Sequence, residues 1–288
     1  MGRVRIALVT TRELPVPDAD EDLLLPHLPE ATLVAWEDPD VDWAGFDAAF
    51  IRSTWNYQDH RDDFLAWARA VELTTALHNR HATLAWNTDK RYLADLAAAG
   101  VPTVPTAFVA PGERAGDDAL AGHVVVKPSV GAGSNGARLL RDDPAGAAAH
   151  VAALHARGLT AMIQPYLHEV DEHGESALIF VGGALSHTAR KAAILSRDMS
   201  WATGLYADEK IAPAAATPAE RDVAARVLEA AARLGHDDLA YARVDLLPTP
   251  DGPVLLELEL AEPSLFLGLD PEAPARAAAA FRARAARG

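Results

Sequence analysis

Lys127 closes a run of β-branched residues, Val124-Val125-Val126. After Pro128 comes a loop, Ser129-Val130-Gly131-Ala132-Gly133-Ser134-Asn135-Gly136, with little side chain to obstruct an anion. Backbone N–H groups in such a loop can turn together toward one phosphate, because glycine tolerates positive φ and lets the chain come close. Lys127 would add a point charge at its base. A second set of groups lies far along the chain, in Tyr241-Ala242-Arg243-Val244-Asp245 and Leu255-Leu256-Glu257-Leu258-Glu259-Leu260. Alternate residues of a strand share a face, so Arg243 sits beside Asp245 and Glu257 beside Glu259. Acids inside such apolar strands are costly unless something positive neutralises them. Asp245, Glu257 and Glu259 together make an oxygen-rich site suited to Mg²⁺, which takes one or two carboxylates plus substrate phosphates. The alternative is a solvated sheet face, and the surrounding leucines argue that this sheet is covered.

Gly131-x-Gly133-x-x-Gly136 also matches the dinucleotide-binding spacing, but that loop must open directly into a helix. Here Ala137-Arg138-Leu139-Leu140 reads as a strand, and Asp142-Asp143-Pro144 stops it. Strand, loop and strand make a hairpin lid over phosphates. No Lys-Ser/Thr pair ends the loop, which excludes a P-loop, and Ser134 lacks the following helix of a nucleophile elbow. A third set, Arg52-Ser53-Thr54-Trp55-Asn56-Tyr57, combines a guanidinium, hydroxyls and aromatics that could grip a carboxylate and stack on a flat group. The same residues also read as a loop leading into the next helix. The eleven histidines show no zinc-helix pattern and are read as non-ligands.

Positioning these groups requires a mixed α/β chain. Apolar runs at 4–10, 32–36 and 47–52 alternate with helical patterns at 18–28 and 59–73, which predicts a small doubly wound domain over residues 1–85. Asn87-Thr88-Asp89 caps a helix expected to begin at Lys90 and to end at Gly100-Val101-Pro102. Strands follow at 106–109, 124–127 and 162–166, with a helix at 145–157 and a stiff pivot at Gln164-Pro165-Tyr166-Leu167. Beyond it, 175–181 and 184–191 form a hairpin on Gly182-Gly183, its second strand exiting at Arg190-Lys191. A polar loop spans 196–210, a helix 218–234, and two antiparallel strands 240–247 and 253–260. An alanine-arginine helix from 274 ends the sequence.

The net charge of −15 over 288 residues argues against nucleic acid or an anionic membrane as partner. The lack of cysteine removes disulfides, thiolate metal sites and a thiol nucleophile. The opening apolar run is too short for a span or a signal core, so the sequence reads as a soluble, cytoplasmic protein.

The order Lys90, Val-Lys127-Pro, Gln164-Pro-Tyr-Leu167, Gly174-Glu175-Ser176, Arg243-Val-Asp245 and Glu257-Leu-Glu259 resembles the ATP-grasp superfamily over nearly the whole chain. Within it, Glu257-Leu-Glu-Leu-Ala-Glu-Pro-Ser-Leu265 and the Arg52-Ser-Thr-Trp55 loop resemble the cycloserine-forming O-ureido-serine cyclo-ligases and enzymes near glutathione synthetase. The resemblance implies an ATP-grasp fold, with residues 1–85 preceding the grasp and α+β lobes at 86–166 and 167–288. It implies ATP held by Lys90, Lys127 and the loop Ser129, Gly131, Gly133, Ser134, Asn135 and Gly136. Gln164, Tyr166 and Leu167 would take the adenine, and Glu175 or Glu169 the ribose. Two Mg²⁺ would lie on Asp245, Glu257 and Glu259, with Arg190, Lys191 and Arg243 catalytic. Arg52, Ser53, Thr54, Trp55 and Ser264 would bind substrate. Most of these enzymes carry Asn where this chain has Glu259. The implied reaction joins a carboxylate to an amine through an acyl phosphate. A small-molecule kinase and a non-catalytic ATP-binding protein stay open as alternatives, as does a homodimer.

Overall fold

The computed structural model describes residues 4–14, 18–133, 135–192 and 210–287. Ser134 and all but Lys210 of the expected 196–210 loop lie outside the described residues. Three sheets surround a common cavity.

The first sheet is fully parallel, in the order Ala31–Ala35 (β2), Ile6–Thr10 (β1), Ala48–Ser53 (β3) and Ala76–His78 (β4). Its central strands β1 and β3 are buried throughout, as continuous apolar runs demand when both faces are covered. β4 went unread in the sequence, since three residues carry no periodicity of their own. The second sheet is antiparallel and runs Ala107–Val109 (β5), Ala161–Pro165 (β8), His123–Pro128 (β6), Arg138–Arg141 (β7). β6 and β7 form the expected hairpin around the glycine loop. The third sheet is antiparallel in the order Ile211–Ala214 (β11), Ala184–Lys191 (β10), Glu175–Val181 (β9), Tyr241–Leu247 (β12), Val254–Glu259 (β13). The helix Pro218–Arg233 packs on it, its first turn closed by a capping box between Thr217 and Glu220.

One local expectation is corrected. Lys90 does not start a helix. Asn87 ends the helix His81–Asn87, and the next begins at Tyr92. The 87–91 linker is instead tied to other sheets: the Asn87 side chain donates to Leu258 O at 2.7 Å and accepts from Leu260 N at 2.8 Å, while Lys90 N donates to Ser129 O at 2.8 Å. The 164–167 pivot leads into a short helix, Glu169–His173, which went unread in the sequence.

The first and third sheets share one core. Phe50 of β3 stacks on Phe281 of the last helix, Ala273–Ala285, at 4.2 Å. Asn79, at φ 58°, donates to Tyr241 O and Leu260 O and accepts from Ala240 N. Asparagine is among the few residues that adopt this backbone readily. The Tyr241 hydroxyl donates to Ile51 O and Ala261 O, joining β3 to the segment after β13. No described helix is long and apolar enough to cross a membrane.

Candidate active site

β12 and β13 pair with Arg243 opposite Glu259 and Asp245 opposite Glu257. The alternation read from the sequence therefore puts all four on one face, and that face looks into a cavity of about 450 Å³, within the usual range for a small-molecule site. β6 delivers Lys127 to the same cavity, the 87–91 linker delivers Lys90, and β10 delivers Lys191.

These charges are matched in pairs. Lys90 Nζ lies 3.0 Å from Glu257 and donates to Gly131 O at 2.7 Å. Lys191 Nζ lies 3.0 Å from Asp245 and also contacts Glu175. Arg243 donates to Asp245 through Nε and Nη2, both at 3.0 Å, pairs with Glu259, and gives Nη1 to Ser264 O. Burial works against the charge on Asp245, but Arg243 and Lys191 outweigh it and hold this carboxyl well below its usual range. Burial likewise opposes Glu257, and Lys90 with Lys127 prevails, lowering it. For Glu259 burial wins over Arg243 and the carboxyl is pushed up. Burial also raises Glu175, against the pull of Lys191. Lys127 differs from the other cations: among the described residues no carboxylate lies within ion-pair distance of it, and burial lowers its pKa.

Among the described residues no three acids or histidines converge into a self-sufficient metal cage. The acids instead stand against lysines and an arginine. Mg²⁺ that arrives with phosphate oxygens needs only one or two carboxylates, and Glu257 and Glu259 face the cavity where uncommitted Lys127 could take such a phosphate. The residues fit an ion delivered with its nucleotide.

The other end of the cavity is apolar. Val125, Tyr166, Val170, Leu247, Leu167 and Leu256 form one cluster there. Gln164 also lines this end and donates to Thr106 Oγ1 at 3.0 Å. Gly131, Gly133 and Asn135 of the loop face the cavity, and Gln58 of the first domain accepts from Ala132 N at 2.9 Å.

Several predicted residues are elsewhere. Ser129 is buried beneath the loop, its N–H donating to Thr160 O, and Gly136 accepts from His150. Arg190 neighbours Lys191 on β10 and so points to the opposite face, toward His173 O and Glu220. Glu169 does not line the cavity; Glu175 does, committed to Lys191. Arg52 is 1 % exposed, donates to Pro263 O at 3.0 Å, lies 3.7 Å from Asp20 and covers the Tyr241 ring. Ser53 contacts Glu21 and donates to Thr10, and Thr54 is fully buried. Of the Arg52–Trp55 set only Trp55 reaches the cavity, together with Ser264. Arg52 is held in the seam between the first sheet and the 261–267 segment, Ser53 is turned the other way against Thr10 and Glu21, and Thr54 is buried just past the strand end.

Glu262 was missed. It lines the cavity three residues after Glu259, and its place in the run Glu257-x-Glu259-x-x-Glu262 was the available signal.

Residues 6–79 match the family described as D-cycloserine synthetase DcsG, N-terminal domain. The cycloserine biosynthesis protein DcsG of Streptomyces lavendulae is 39% identical over 277 residues, covering 88% of this chain and 88% of that protein. The crystal structure of D-cycloserine synthetase DcsG superposes with a TM-score of 0.86 at 37% identity, over 97% of this chain and 99% of that one. The ATP-grasp ligase PsnB, solved with minimal precursor, Mg and ADP, shares the fold at a TM-score of 0.62 and 18% identity, over 99% of each chain. Carboxylates, lysines and a glycine hairpin gathered around one cavity, together with likeness along almost the full length, place this chain in the DcsG family of ATP-grasp ligases.

Proposed function

We propose that the enzyme uses ATP to activate the carboxylate of a small amino-acid-like substrate as an acyl phosphate, which an amine-type nitrogen then attacks. Closure of a ring on the substrate itself is the form of the reaction we favour, because a relative named D-cycloserine synthetase is 37% identical over 97% of this chain and its named product is a ring. The observation that carries the reading is Lys127, a half-buried lysine without an acid partner among the described residues, facing Glu257 across a cavity roofed by the glycine hairpin.

In this reading Lys90 and Lys127 hold the α- and β-phosphates and the loop around Gly131, Gly133 and Asn135 closes over the β/γ end. Tyr166, Leu167 and Gln164 receive the adenine. Lys90 exchanges its bond to Gly131 O for a phosphate oxygen. Asp245, Glu257 and Glu259 would hold two Mg²⁺, which supply charge neutralisation at the phosphates. Arg243 and Lys191 stand where negative charge builds on the transferring group. Carboxylate oxide is a poor leaving group and phosphate a good one, so positioning and charge neutralisation carry most of the rate. The three sheets correspond to lobes at 1–85, 86–166 and 167–288, the first supplying Trp55 to the acceptor side.

Lys127→Ala and Glu257→Gln test this. Each should abolish ATP-dependent phosphate release in the presence of O-ureido-D-serine while the circular dichroism spectrum stays that of the wild type. Undiminished release from either variant would remove its residue from the site.

A further inference from the structure

β13 acts as a ruler through the cavity. Leu256 belongs to the apolar cluster with Tyr166 and Leu167, Glu257 pairs with Lys90, and Glu259 pairs with Arg243. At about 3.3 Å per residue, Glu259 stands roughly 10 Å beyond Leu256. The chain then leaves the strand, and Glu262 meets the turn that follows β3, where Trp55 Nε1 donates to its backbone carbonyl at 3.4 Å. Trp55, Tyr57 and Ser264 line the cavity beside it.

Glu262 is the acid in this cavity that has no cation partner among the described residues. Glu175, Asp245, Glu257 and Glu259 each pair with a lysine or Arg243. Among the described residues no cation lies within ion-pair distance of the Glu262 carboxylate, and its own backbone supplies its hydrogen bond. Of the nearby cations, Lys90 is engaged by Glu257 and Gly131 O. Arg52, the guanidinium closest in sequence reading to an acceptor site, is engaged by Asp20 and Pro263 O. A half-buried carboxylate beside indole and phenol rings, with no cation of its own, presents a site for a ligand cation.

We propose that Glu262 receives the amino group of the substrate, so that the enzyme selects carboxylates that also carry an ammonium. The assignment rests on the ligase reading above and deepens it. Lys127 awaits an anion at the nucleotide side and Glu262 a cation at the acceptor side. A zwitterionic substrate between them has its ammonium held at Glu262, whose carboxyl releases its proton to solvent as the cation docks, and its carboxylate free to face the phosphoryl group near Arg243 and Lys191.

The test is calorimetric titration of the Mg·ADP-saturated enzyme with D-cycloserine and with isoxazolidin-3-one, the same ring without its amino group. Wild type should bind the amine-bearing ring at least tenfold more tightly. Glu262→Gln should bring the two affinities within a factor of two or three while ADP affinity, measured on the same protein, stays at the wild-type value and certifies the fold. Retained discrimination in Glu262→Gln, or equal binding of the two rings by wild type, overturns the Glu262 assignment alone. Absence of D-cycloserine binding to wild type overturns the substrate reading, and the assignment falls with it.

Discussion

At the scale of single residues, the site is a set of mutual neutralisations with two groups, Lys127 and Glu262, left without an ion-pair partner among the described residues. Breaking a buried ion pair by removing one member costs about 3–5 kcal/mol, because the other charge stays behind unsolvated. The enzyme carries such a member already in Glu262, which burial, with Glu259 adding to it and Lys90 opposing, pushes from the ordinary 4.5 to about 8. Glu257 and the Tyr57 phenol also face this carboxyl. Between those two values the folded enzyme binds a proton that the unfolded chain has released, so stability falls as pH rises through the window. Glu262→Gln has no proton to lose. Its melting temperature, measured without ligand in chelator, should gain on wild type as pH rises from 4.5 to 8 and the gain should level off above that. A difference that stays constant across the range would show that Glu262 is not held protonated by its surroundings. Much at this scale was legible in the sequence: β12 and β13 parity placed Arg243, Asp245, Glu257 and Glu259 together. Arg190 and Lys191 could have been separated by the same rule, since adjacent strand residues cannot share a face. The burial of Arg52 was not legible, because its partners, Asp20 and Pro263, are set by how the first sheet meets the 261–267 segment.

At the scale of elements, the cavity depends on how strands end. Gly174 precedes β9 at φ +68°, and a Cβ there would stand 2.4 Å from Lys191 O, a backbone atom at the end of β10. Both the conformation and the close approach require glycine. Gly174→Ala should destabilise the fold by about 1–3 kcal/mol and, by shifting the strand end that carries Lys191, weaken ATP binding as well. Equilibrium unfolding together with nucleotide titration measures both; a variant with unchanged stability would show that this contact does not constrain the two strands. Long elements were read correctly from periodicity, including the hairpin on Gly182-Gly183, where β9 and β10 pair. Short ones were not. β4 and the helix Glu169–His173 gain their order from neighbours rather than from sequence pattern. The 87–91 linker carried helix-capping letters, yet bonds from Asn87 to β13 and from Lys90 to Ser129 fix it as a connection between sheets.

At the scale of the whole molecule, three sheets bring groups more than a hundred residues apart in sequence into one cavity. Lys127 and Glu257 meet there, and the 261–267 segment closes against the first sheet through Arg52, Asp20 and Tyr241. The architecture followed from the order of motifs, since no single motif specified it. On the proposed function, this convergence sets the γ-phosphoryl group of ATP beside a substrate carboxylate. Isotope transfer reports on that contact: O-ureido-D-serine carrying ¹⁸O in both carboxylate oxygens is incubated with enzyme, ATP and Mg²⁺, and the released phosphate is weighed by mass spectrometry. Carboxylate attack on phosphorus makes one labelled oxygen the bridge of the acyl phosphate, and attack of nitrogen on carbon releases it with the phosphate. The expected result is one ¹⁸O in each phosphate formed with product. Phosphate bearing only unlabelled oxygen would contradict the account, because the phosphoryl group would then have gone to water.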